Sequence, residues 1–178
     1  MIALFLSLTF FNLLCLATAA TLGYCVMFAG PNFSPYHQLA GALATLACCA
    51  VHCIVFTYFI ATAKWVQHAI EVKRLDPALS KPTRSFKAQA FPAALSAMAI
   101  VFITAVVGVI TFSYGTRPLW HQLCAIAALL INLLAAIAEY RAISRNARLI
   151  DGILERVNRA GSHNPSDDPV TESTEDTE

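Results

Sequence analysis

Four apolar stretches, at about 2–27, 37–62, 91–113 and 119–140, set the limits on what this chain can fold into. Each is long enough to cross a bilayer, whose hydrocarbon core of ~30 Å takes about 20 helical residues. In lipid a segment must satisfy its own backbone hydrogen bonds, so stretches of this kind are helices. The composition agrees: 57% of the 178 residues are hydrophobic and 13% are charged, with a mean hydropathy of +0.61. That is too little charge to cover a soluble domain of this length. The expected fold class is therefore an all-α integral membrane protein, a bundle of four transmembrane helices.

The basic residues give the threading. Lys64, Lys73, Arg74, Lys81, Arg84 and Lys87 lie between the second and third stretches, and Arg141, Arg145, Arg148, Arg156 and Arg159 follow the fourth. Only Arg117 falls on the other side. Basic loops stay in the cytoplasm, so both termini are expected there, in a cell (plasma or inner) membrane. The first stretch contains Ala17-Thr18-Ala19, which resembles a signal-peptidase site. It lacks a preceding basic residue, and its apolar run continues to Met27, so it reads as a retained span.

"YHQLAGALATL" from Tyr36 aligns with "WHQLCAIAALL" from Trp120, and the register holds to Glu71 on Glu155. Upstream, "ATLGYCVMFAG" aligns loosely with "AVVGVITFSYG". These pairings read as two duplicated hairpins running the same way through the membrane, the parallel-repeat arrangement. Helices two and four are expected to extend into the cytoplasm at about 63–75 and 141–159, where an apolar stripe includes Ile143, Ile150, Leu154 and Val157. Residues 1–159 would form the transmembrane domain. Residues 160–178, polar and acidic, read as a disordered tail.

Polar side chains inside a span are costly in lipid and turn toward the bundle interior. His37, Gly41, Ala44, Cys48 and His52 share one stripe of span two, and His121, Ala125, Ala128, Asn132, Ala136 and Glu139 share one of span four. Two candidate sites follow. His37 and His121 lie at matching heights and could ligate one b-type haem from opposite sides, with small residues below leaving room for the ring. In general arrangement this resembles duplicated b-type cytochrome bundles, without any named family's motif. The plainer reading makes both histidines interfacial anchors beside Tyr36 and Trp120.

The second candidate is "CCAVHC" at 48–53. Cys49, His52 and Cys53 offer the thiolate and imidazole donors that suit Cu(I) or Zn(II), yet one helix rarely closes a tetrahedral site. Asn12 should lie near the depth of His52, and Asn132 about one turn from it, so a hydrogen-bonded His52–Asn pair is the favoured account. Glu139, at the end of its span, is expected to pair with Lys64 or Arg141.

No nucleophile triad, phosphate loop or HExxH motif occurs, and the basic loop needs only lipid headgroups as partners, not nucleic acid. The leading expectation is a non-catalytic subunit or accessory protein of a larger membrane assembly, with other membrane subunits or further copies of itself as partners. An electron-transfer subunit with one haem b is the alternative. Transition-metal handling comes third.

Overall fold

The computed structural model describes residues 2–115 and 117–162, and these are helical almost throughout. Four helices follow in chain order: α1 (Ile2–Ala29), α2 (Ser34–Lys73), α3 (Lys81–Tyr114) and α4 (Leu119–Ser162). All four are long and apolar enough to cross a membrane. Helix α4 runs to Ser162, three residues past the expected end of the folded part. Positions 163–178, expected to form a disordered tail, lie outside the described residues.

Turn chemistry fixes where each helix stops. Gly30 (φ 117°) and Gly115 (φ 62°) take positive φ values at the two short turns, where a side chain would strain the backbone. At the other end of the bundle Arg74 closes α2 in the left-handed conformation, φ 50°. Asp76 then turns the chain, its carboxylate accepting from the Ala78 amide at 2.8 Å.

Helix α3 begins at Lys81, ten residues before its apolar stretch. Pro82 sits in its first turn, where a missing N–H and a preset φ suit helix initiation, so the polar segment 81–90 is helix rather than loop. Pro92 is tolerated inside the helix. Its ring removes one backbone bond, and the Ser96 hydroxyl donates to the Pro92 carbonyl at 2.8 Å.

The bundle core is made of small residues. Ala90, Ala94 and Ala97 of α3 and Ala142 of α4 are fully buried, and the closest pairings are α1 with α2 and α3 with α4. Small side chains let helix backbones approach, which matters in lipid because solvent there gives no hydrophobic drive to association. The outer surface is the reverse of a soluble protein's: Phe10, Leu39, Leu46, Val109, Phe112 and Leu134 are exposed. Beyond the apolar stretches, α2 and α4 continue together around Val66, Ile70 and Ile153.

Ala97 is fully buried among the helices. Ala97→Leu should destabilise the bundle by about 1–3 kcal/mol through overpacking, read as an earlier midpoint when the protein is unfolded by titrating SDS into mild detergent.

Candidate functional site

His37 and His121 come together across the bundle. Their rings are 5.8 Å apart between centroids, with 72° between planes. Each lies in the first turn of its helix, so both sit at the end of the bundle that carries the short turns.

Each imidazole is held in the same way by the other helix of its hairpin. The Nδ1–H of His37 donates to the Ala19 carbonyl at 2.9 Å, and that of His121 to the Thr104 carbonyl at 3.1 Å. A carbonyl only accepts, so Nδ1 carries a hydrogen in both rings, and in the neutral ring Nε2 keeps the lone pair. One turn past each carbonyl stands a glycine. A Cβ on Gly23 would come within 3.0 Å of His37 Cε1, and one on Gly108 within 2.8 Å of His121 Cε1. Real Cβ atoms do not approach as closely as the second distance, and the first would make the His37 ring give way, so both glycines favour the rings lying where they do.

The two histidines line a cavity of about 660 Å³ to which all four helices contribute, within the usual size of a cofactor site, roughly 300–1,000 Å³. Gly41, Ala44, Ala125 and Ala128 line it as well. Their small side chains leave the space open.

Farther from the short turns lies a second polar cluster, buried on all sides. His52 Nδ1 and Glu139 Oε1 are 2.7 Å apart, with both side chains almost wholly inaccessible. Asn132 is 2 % exposed. Its Nδ2 donates to the Ala128 carbonyl at 2.9 Å, so its Oδ1 is the acceptor for its other neighbours. Asn12 Nδ2 at 3.2 Å and the Cys48 thiol at 3.4 Å donate to it, and His52 Nε2 approaches it at 3.5 Å.

The expected His52–Asn contacts therefore form, but Glu139 takes a different partner. It does not pair with Lys64 or Arg141 at an interface. Helix α4 continues for more than twenty residues past Glu139, which puts the carboxylate in mid-bundle rather than at a helix end. The chain pairs it with the one imidazole at that depth.

Cys49, His52 and Cys53 do not converge. His52 points into the bundle while Cys53 is exposed and Cys49 half-buried. Adjacent positions on a helix face different directions, so the rotation of α2 that brings His52 inward leaves Cys53 on its outer side. Among the described residues no group of three or more His, Cys, Asp or Glu is placed to hold a metal ion.

Three participants are hard to see in the sequence: Gly23, Gly108 and Asn146. The glycines occupy equivalent places in the loosely aligned upstream segments, which was the available signal. Asn146 is buried and donates to Tyr58 Oη at 3.1 Å and Thr62 Oγ1 at 3.0 Å. It follows Asn132 and Glu139 at sevenfold spacing on the same helix face.

Removing one member of a buried ionisable pair strands the other. Glu139→Leu should cost about 3–5 kcal/mol, whereas adding His52→Leu should return much of it. A double-mutant cycle in SDS unfolding measures both steps.

Comparison of the chain with protein-family models, with curated proteins and with solved structures finds no match.

Proposed function

We propose that this chain is a small membrane electron carrier that binds one b-type haem between His37 and His121 and serves as a subunit of a larger membrane assembly. The observation that carries the reading is the ring separation of 5.8 Å combined with the shared tautomer. A metal–imidazole nitrogen bond is about 2 Å, and a ring centre lies roughly 1 Å beyond its nitrogen. Two imidazoles on one metal thus have centroids about 6 Å apart.

The surroundings of the rings support the same reading. A ligating histidine usually donates its second N–H to a carbonyl or carboxylate, which fixes the tautomer and raises ligand basicity. Ala19 and Thr104 offer that carbonyl in each hairpin. Alanine and glycine make up much of the cavity wall and leave its space open to a large, mainly apolar group. Bound there, haem would supply one-electron exchange; the chain's own part is to orient the two ligands and exclude solvent.

The likeness of the two ring settings also favours reading the hairpins as diverged copies. With the basic residues on the cytoplasmic side, the histidine end faces outward, both termini face inward, and the extensions of α2 and α4 project into the cytoplasm. The membrane is the cell (plasma or inner) membrane.

Absorption spectra of the detergent-purified protein, expressed with haem supplied and recorded oxidised and reduced, test the proposal. A sharp reduced α-band is expected, lost in both His37→Ala and His121→Ala. Gly108→Ala should lower haem retention at least tenfold, because a Cβ in contact with His121 moves the ring (about 1.4 kcal/mol or more of binding). A featureless spectrum from folded wild-type protein would overturn it.

A further inference from the structure

The His52–Glu139 pair lies apart from the histidine cavity and has no part in holding a ligand there. Counting at 1.5 Å per residue places His52 about 22 Å from His37 along α2. It is still linked to the cavity. Asn132 bonds to the carbonyl of Ala128, a cavity-lining residue, and to His52 through its Oδ1.

The geometry specifies the proton inventory. Asn132 Oδ1 can only accept, so His52 Nε2 carries a hydrogen. An unprotonated Nδ1 and a carboxylate oxygen repel each other, so an approach of 2.7 Å requires one proton between them. That proton sits on Nδ1 as an ion pair or on Oε1 as a neutral pair; in both forms the net charge is zero. The network around the pair comprises Asn12 from α1, Cys48 from α2, the Ala97 carbonyl from α3 and Asn132 from α4. Of these only the Cys48 thiol can titrate. Asn12 is 3% exposed, and its Oδ1 has no protein partner, which makes it an acceptor available to water beside the pair.

We propose that His52 and Glu139 form an internal proton-binding site whose occupancy follows the charge in the cavity above it. This inference rests on the haem reading. Ferric haem carries one more positive charge than ferrous haem, and charges about 22 Å apart still interact, though weakly, across a protein interior. The ferric state favours loss of the shared proton. When one electron from an external donor reduces the iron, one proton from bulk water returns, forming the N–H bond at Nδ1 or the O–H bond at Oε1. The closed 2.7 Å pair is the protonated form. Buried carboxylate and imidazole partners inside a span are the usual elements of such a site.

The test is a redox titration of the haem-loaded protein in nanodiscs between about pH 5.5 and 9, comparing wild type with Glu139→Gln and His52→Gln. The midpoint potential should fall as pH rises in the wild type, and the slope should be at least halved in both variants. An unchanged absorption spectrum reports that each variant is folded and loaded. In parallel, the reduced-minus-oxidised infrared difference spectrum should show a carboxyl or carboxylate band that disappears in Glu139→Gln. Equal slopes in all three proteins, together with no Glu139 band in the wild type, would make the pair purely structural and overturn the proposal. Absence of any haem spectrum would instead defeat the reading on which it rests.

Discussion

An imidazole buried in an apolar bundle must find a use for both ring nitrogens, and that requirement organises the whole interior. Each unpaired polar atom in such a medium costs free energy comparable to a lost hydrogen bond or more. His52 meets the requirement with protein groups alone, Glu139 on one side and Asn132 on the other. His37 and His121 commit Nδ1 to a backbone carbonyl each, in rings that border a cavity. The same residue type is thereby divided into two kinds. One is closed within a polar network, and the other borders a space large enough for a cofactor.

Small residues make both arrangements possible. A histidine can reach the carbonyl of a neighbouring helix only if that helix presents no Cβ in the way, and Gly23 and Gly108 meet this condition at equivalent positions. Alanines at 90, 94 and 97 let α3 approach closely enough for the Ala97 carbonyl to receive Asn132. Substituting larger apolar residues would fill the interior as well, but would separate the helices and leave the polar atoms without partners. In lipid, where apolar burial gives no net drive, this matching of small residues to polar contacts carries more of the packing.

Much of this was legible in the sequence. Helical spacing from His37 and His121 leads down the inward stripes, and depth counting brings Asn12, Asn132 and His52 within reach of one another. Such reasoning works because spacing along a helix is fixed. It fails where the answer depends on how far a helix continues. Glu139 looked terminal because the apolar stretch stops at 140, yet hydropathy marks where lipid contact ends and says little about where helix or packing ends. The start of α3 at Lys81 was hidden for the same reason, since its first turns are polar. The role of Gly23 and Gly108 was hidden for another: a glycine in an apolar run shows that a side chain is missing, without naming the atom that takes its place.

The two polar centres are also separated from the farther end of the bundle in a way that bears on direction. Beyond His52 and Glu139, Phe5, Val55, Phe59, Ala90 and Ala142 form an apolar layer, and only past it does Asn146 begin another polar cluster with Tyr58 and Thr62. Toward the short turns, one helical turn separates Asn132 from the cavity wall at Ala128. Proton and charge at the His52–Glu139 pair are thus closer in structure to the histidine cavity than to the basic end of the molecule. The layer around Phe59 separates the His52–Glu139 pair from the polar cluster at Asn146.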